Sequence, residues 1–356
     1  MQYCSLLPHP HNSDLLVCEH CNQTVNHKIF CLDDPLQCRA WHKIIDVKTI
    51  PNNVIKPTIP TKPPTKLAIV SCYFNFANFS NIADNYLRFK HEMQWWGVPF
   101  FDIAAVTEQQ YQEIKPFFTI KIDPKDDPTI VIWQKEHLIN LVVDLLPKDY
   151  DAVAWIDADV LFLGRNWYQN TLNALQTKPV AQLWRHWHFA GKNGEVQLTG
   201  HCIGENGNLY LKGKGHPGGA WAARRELLPL YPYHVIGGGD TLAVDAWLGL
   251  KQTYLQNMMS PEWLSDYSLW ADKQYAMVGG NIATLQSDCM HLYHGERDNR
   301  KYSERTRWLA NDNFDPTKHV TTNDLGLLCW TDQAPPNLVK RVHNYLTGER
   351  NEDDNL

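Results

Sequence analysis

Apolar residues recur along the chain in two patterns. LAIVSCYF from Leu67 and PFFDIAAV from Pro99 are short, nearly unbroken apolar runs rich in β-branched and aromatic residues. That is the pattern of strands buried on both faces. YDAVAWIDADVLFL from Tyr150 reads as a third strong strand, and EIKPFFTIKI as a weaker one. Between them, NIADNYLRFKHEMQWW has helical spacing and stops at Gly97, and WQKEHLINLVVDLL has an apolar stripe ended by Pro147. Strands alternating with helices predict an α/β fold with a mostly parallel sheet. From Trp184 the texture turns rich in Gly, His and Trp. That stretch is expected to form loops and short elements over the carboxyl edges of the sheet, where open α/β sheets bind ligands.

The 356 residues fall into four stretches. Residues 1–46 form a Cys/His-rich head, and 47–66, with its prolines, a semi-rigid linker. Residues 67–345 carry the α/β pattern, and the acidic end, 346–356, is expected to fray. A net charge of -6 argues against a broadly electropositive, nucleic-acid-type surface. No run approaches the roughly 20 apolar residues that span a bilayer, and MQYCSLLPHPHNSD lacks the layout of a secretory signal. A cytoplasmic protein is expected. The odd total of 9 cysteines does not suggest a disulfide framework.

Asp157 and Asp159 sit where the third strand ends, and in extended chain residues two apart face one side. Two converged carboxylates repel unless a cation lies between them, and Mg²⁺ or Mn²⁺ prefers such oxygen ligands beside substrate phosphates. A solvated strand-end turn is the plain alternative. The segment VAWIDADV resembles the Asp-x-Asp motif of nucleotide-sugar-dependent glycosyltransferases of the GT-A fold. The resemblance covers roughly residues 66–345. It implies a Rossmann-like sheet that binds the nucleotide, with Tyr73 and Asn75 at the end of the first strand as contacts, and a metal held against the diphosphate by Asp157 and Asp159.

Three later segments extend the resemblance. GHPGGAWAARRELL joins a glycine-rich loop to an expected helix start, and by resemblance Gly218, Gly219 and Trp221 lie beside the acceptor. GGGDTLAVDAWLG places Asp240 before an apolar helix; it is either a plain helix cap or, by resemblance, the base facing the acceptor hydroxyl, with Asp245 as a weaker substitute. HLYHGERDNRKYSERTRWL offers His291 and His294 as the third metal contact; an extended segment would turn the two apart, so one is expected to make it, and His294 is favoured because Gly295 beside it leaves room for phosphate. Arg300, Tyr302 and Arg305 follow as contacts for diphosphate or acceptor. This continuation is similar to glycosyltransferases of phage and bacteria. Trp184, Trp187 and Trp221 could stack on sugar rings, although buried core is the commoner fate of tryptophan.

In the head, Cys18 and Cys21 have knuckle spacing, and Cys31 and Cys38 complete four thiolates for a structural Zn²⁺; His20, His27 and Cys4 are substitutes. A UDP-sugar donor with Mn²⁺ or Mg²⁺ is the activity the resemblance implies. The acceptor is expected to be either a hydroxymethylated pyrimidine in DNA, reached through a groove of the basic 297–307 segment with Arg185, Arg224 and Arg225, or a cell-surface glycan or protein. A non-catalytic nucleotide-sugar-binding module is the rival class. A nucleotidyltransferase would carry a glycine-rich loop after its first strand, and CYFNFANFSN has no glycine.

Overall fold

The computed structural model describes residues 63–354 and three short strands of the head, β1 (Leu6–His9), β2 (Asn12–Cys18) and β3 (Thr24–Asn26), which form an antiparallel meander. Cys21, Cys31 and Cys38 lie outside the described residues, as does the Cys18 side chain, so the zinc expectation does too.

The α/β region opens with β4 (Leu67–Phe74), α1 (Ser80–Trp96), β5 (Phe100–Val106), α2 (Glu108–Ile114), β6 (Phe118–Lys121), α3 (Lys135–Leu145) and β7 (Ala152–Ile156). These follow the sequence pattern except at α2, a helix the pattern did not show, which takes Glu113 and Ile114 from the expected strand and leaves β6 only Phe118–Lys121. In α1 the residues Ala83, Tyr86, Phe89 and Met93 recur at helical intervals and are buried, and Gly97 ends the helix in the left-handed region at φ 64°. Phe89 and Met93 pack with Leu67 and Ile69 of β4. Leu138, Ile139 and Val142 of α3 pack with Ala68 and Val70, which points alternate residues of β4 into the two helical layers.

The chain then runs through β8 (Val160–Phe162), α4 (Trp167–Thr177), β9 (Val180–Gln182), β10 (His186–Ala190), β11 (Val196–His201), β12 (Ala220–Arg224), α5 (Gly239–Leu248), α6 (Pro261–Val278), β13 (Ile282–Thr284) and β14 (Asp288–His291). It closes with α7 (Tyr302–Asn311), α8 (Pro316–His319), β15 (Val320–Thr322), β16 (Leu328–Trp330) and α9 (Pro336–Asn344). The main sheet has the order β13-β9-β12-β7-β4-β5-β6. Its pairings are parallel except those of β12, which runs antiparallel to both β7 and β9. A smaller sheet has the order β11-β10-β14-β8. From β4 the chain builds outward through β5 to β6, then returns to place β7 on the other side of β4. That reversal opens a crevice beyond the carboxyl ends of β4 and β7, the place where open α/β sheets take ligands.

Four expectations are corrected. The strand at 150–163 is two strands in different sheets, because a turn at Asp157–Asp159, closed by Val160 N–H donating to Asp157 O at 3.2 Å, carries the chain from one to the other. AWAAR is a fully buried strand and not a helix start, since its residues are sandwiched between β7 and β9. The region after Trp184 is more regular than loops: α6 is 18 residues long, with the Ser260 side chain accepting from Trp263 N–H, Pro261 in its first turn and Gly279 at its end. The acidic end does not fray through residue 354. Asp353 accepts hydrogen bonds from Ser80 N–H and Asn81 N–H, both at 2.8 Å, and so caps α1, whose own N-cap residue Phe79 makes no side-chain cap.

Candidate active site

The crevice is a cleft of about 340 Å³, within the ordinary range for small-molecule sites. The β7–β8 turn sends its two aspartates to different partners. Asp157 Oδ1 lies 2.6 Å from the Lys135 ammonium, which also meets Asp240 Oδ2 at 3.0 Å. Asp159 Oδ2 instead lies 3.0 Å from His294 Nε2 and 3.6 Å from His291 Nε2, and the two histidine nitrogens are 3.0 Å apart. Among the described residues, Asp159, His291 and His294 are the group whose potential ligand atoms converge for a metal ion; Asp157 is not in it.

Both histidines reach Asp159, although an extended segment would separate them. β14 ends at His291, and the chain leaves the sheet before His294. Gly295, at φ 88°, lies close against the backbone of Asn351 and Glu352. Burial, reinforced by the Arg300 charge and opposed by Asp159, holds the His291 imidazole below its ordinary value, in the neutral form a metal needs. Asp159 Oδ1 is buried and has no hydrogen-bond partner among the described residues. An unpartnered carboxylate oxygen beside two convergent imidazole nitrogens fits a divalent cation.

Lys135 begins α3, an end where the helix dipole disfavours a cation. Burial also opposes its charge, yet Asp157, Asp240 and Glu136 hold its ammonium well above the ordinary range. One ammonium cannot neutralise three carboxylates. Burial, with repulsion from Asp240 and Asp159, therefore pushes Asp157 up to about 7 against the pull of Lys135. Burial likewise pushes Glu136 up to about 7.

Asp240 is not a helix cap. Gly238 occupies that position at φ 132° and, as a glycine, makes no side-chain cap. The glycine run lets α5 approach α3: a Cβ on Gly239 would sit 2.3 Å from Glu136 Oε1. Asp240 is thereby left facing the cleft. Asp245 does not reach it. It is buried, accepting from Tyr210 OH at 2.9 Å and Thr253 Oγ1 at 2.8 Å.

Gly218 and Gly219 line the cleft, and Gly219, at φ 102°, is required by Trp187: a Cβ there would fall 1.9 Å from its ring. Trp187 lines the cleft against His291. Trp221 lies in the core against Trp247, its indole N–H donating to Pro217 O at 2.8 Å, and is not a cleft residue. Trp184 is buried against Trp187, donating to Gly218 O. Tyr73 and Asn75 line the cleft floor, where Asn75 Nδ2 donates to Tyr73 OH at 3.2 Å and to Phe79 O at 2.7 Å. Arg300 borders the cleft but is buried, its Nη2 2.7 Å from Glu352 Oε2. Arg305 donates to Tyr345 OH, and Tyr302 lies at the cleft edge. The groove expected for DNA loses two of its members: Arg224 donates to the carbonyls of Leu175 and Gln176, and Arg225 to those at the end of α3.

Sequence reasoning missed Lys135, Glu136, His216 and Glu352. The lysine at a helix start was a readable signal, since it needs anions to offset the dipole. His216 accepts from Gly218 N–H at 3.1 Å, and burial with the Arg297 charge pushes it down to about 4.

No family model and no curated protein matches the chain. Solved structures it is similar to are nucleotide-sugar glycosyltransferases and nucleotidyltransferases. A Drosophila β1,4-galactosyltransferase 7 in complex with manganese, UDP-Gal and xylobiose aligns at 14% identity and TM-score 0.29, covering 52% of this chain and 63% of that one. Glucosyl-3-phosphoglycerate synthase of Mycobacterium tuberculosis, with Mn²⁺, UDP and phosphoglyceric acid, aligns at 14% and 0.34, covering 72% and 81%. The 4-diphosphocytidyl-2C-methyl-D-erythritol synthase of Anaerococcus prevotii aligns at 8% and 0.33, covering 67% and 97%. The chain thus spans less than two thirds of the galactosyltransferase. At these TM-scores the likeness carries no weight for activity, which the cleft itself has to support. No helix among the described residues is long and apolar enough to cross a membrane.

Proposed function

We propose that the chain is a metal-dependent glycosyltransferase that moves a sugar from a UDP-sugar to an acceptor hydroxyl. The observation that carries this reading is the convergence of Asp159, His291 and His294 in the crevice between β4 and β7, in the same cleft as the Asp240 carboxylate. Asp159, His291 and His294 would hold Mn²⁺ or Mg²⁺, whose positive charge offsets the charge developing on a departing diphosphate. Asp157 faces the other way and serves with Lys135 as a charged brace for Asp240.

In the proposed step the acceptor hydroxyl gives its proton to Asp240, and its oxygen attacks the anomeric carbon. The bond between that carbon and the diphosphate oxygen breaks, and the nucleoside diphosphate leaves with the electron pair. Lys135 keeps the Asp240 carboxylate in place for that transfer. The glycine-rich turn at Gly218 and Gly219 lets Trp187 and His216 pack close against the cleft wall beside Asp240. With Arg224 and Arg225 used internally, a glycan or protein hydroxyl suits the cleft better than duplex DNA.

The test is release of nucleoside diphosphate from UDP- and GDP-sugars with Mn²⁺, with and without EDTA, against glycan acceptors and DNA containing 5-hydroxymethylcytosine. Metal-dependent release that Asp159→Ala abolishes is expected. Pyrophosphate release from a nucleoside triphosphate and a sugar phosphate would replace this reading with nucleotidyl transfer. Tight UDP binding without turnover of any donor would replace it with a binding module.

A further inference from the structure

Residues 350–354 pass beside the cleft, and each acidic side chain there has its own partner. Asp353 caps α1. Asp354 pairs with Tyr293 OH and accepts from Glu296 N–H at 3.1 Å. Glu352, between the tail's other anchors, is fully buried. Its carboxylate pairs with Arg350, accepts from Arg300 Nη2 at 2.7 Å, and lies 2.6 Å from His294 Nδ1.

Two contacts favour a proton on His294 Nδ1 and a bare Nε2, while Asp159 Oδ2, 3.0 Å from Nε2, is compatible with that tautomer when a cation lies between them. A carboxylate that two guanidinium groups already hold as acceptor also accepts from the imidazole 2.6 Å away, which places a proton on His294 Nδ1. Arg300 Nη2 also lies 3.1 Å from His294 Nε2, and a guanidinium can only donate, so Nε2 presents a lone pair. That same Nε2 is the atom facing Asp159 and His291. A histidine can bind a cation only through a bare nitrogen, and a carboxylate on the opposite ring nitrogen is the usual means of exposing one. A cation taking that lone pair displaces the Arg300 contact to Nε2, and Glu352 and His294 O, at 3.2 Å, remain as acceptors for the guanidinium.

We propose that Glu352 is a positioning residue of the metal centre: its carboxylate orients His294 and holds it in the tautomer that turns a bare Nε2 toward Asp159. The inference rests on the reading of Asp159, His291 and His294 as metal ligands. It gives residues 350–354 a role beyond packing, since the strap that caps α1 also delivers the carboxylate that prepares a ligand more than 50 positions earlier in the chain.

The test is Mn²⁺ affinity of the full chain, measured by electron paramagnetic resonance without any sugar nucleotide, alongside melting temperature. Glu352→Gln is expected to weaken Mn²⁺ binding by about 10–100-fold. Glu352→Asp keeps the charge that Arg300 and Arg350 need but withdraws it from His294; it is expected to fold and still bind Mn²⁺ more weakly, which decides the matter if Glu352→Gln does not fold. Asp353→Asn loosens the strap on α1 without touching His294, and is expected to lower the melting temperature while leaving Mn²⁺ affinity as in wild type. Wild-type affinity in the folded Glu352 variants would overturn the inference alone. Unchanged Mn²⁺ binding in Asp159→Ala would overturn the metal centre, and this role with it.

Discussion

The Lys135 ammonium lies 2.6 Å from Asp157 Oδ1, and that contact divides the labour of the Asp-x-Asp pair. Asp157 is tied to the side of the cleft that holds Asp240, while Asp159 faces the histidines. Removing the lysine should therefore damage the fold before it damages metal binding. Lys135→Met leaves the partly exposed Asp157 and Asp240 and the buried Glu136 without their counter-ion and is expected to lower stability by urea denaturation. The double variant Lys135→Met with Asp240→Asn should recover part of that loss, because one of the stranded charges is gone.

Asp240→Asn tests the proposed base. Its carboxylate is partly open to the cleft and does not cap α5. Turnover is expected to fall by about 10²–10⁴-fold, with Mn²⁺ affinity unchanged. An equal fall in Mn²⁺ affinity would place Asp240 among the metal ligands instead.

Gly219→Ala should be severe for a side chain so small. The added methyl collides with the Trp187 ring, and the residue sits at φ 102°. Overpacking and backbone strain together are expected to cost about 2–4 kcal/mol. Because Trp187 packs on His291, weaker Mn²⁺ binding should accompany the lower melting temperature. A variant with wild-type stability would mean that the turn adapts freely.

Asp245 supplies a pH dependence outside the site. Burial, opposed by hydrogen bonds from Thr253 and Tyr210, pushes its carboxyl up to about 7. An unfolded aspartate titrates near 3.9, so between those values the folded chain binds the extra proton. Its contribution to stability is full below pH ~4 and is lost as pH rises through about 7, on the order of 4 kcal/mol in all. Asp245→Asn keeps hydrogen-bonding groups toward Tyr210 and Thr253 without a charge, and should flatten that part of the stability profile. A profile identical to wild type would show that Asp245 stays ionised when folded.

The first half of the fold was legible because its strands and helices announce themselves locally. The continuous apolar run of β4, the spacing of Ala83, Tyr86, Phe89 and Met93, and the stop at Gly97 each depend on nearby residues alone. β12 does not read as a strand locally, because AWAAR has no period; what makes it one is the pair of neighbours, β7 and β9, that enclose it. Asp157, Asp159, His291, His294 and Asp240 were readable as residue types in order. Their division into two groups was not, since it follows from the turn at 157–159 and from Lys135. Glu352 was hidden for a different reason: a run of acidic residues looks solvated until the arginines and the histidine that surround it are placed by the fold.

The most direct test of the metal-dependent nucleotide reading is calorimetric binding of UDP to the full chain with and without Mn²⁺. UDP is expected to bind with Mn²⁺ present and to weaken at least about tenfold with EDTA, with Asp159→Ala giving the same weak binding in the presence of Mn²⁺. UDP affinity indifferent to Mn²⁺, EDTA and Asp159→Ala alike would contradict the account.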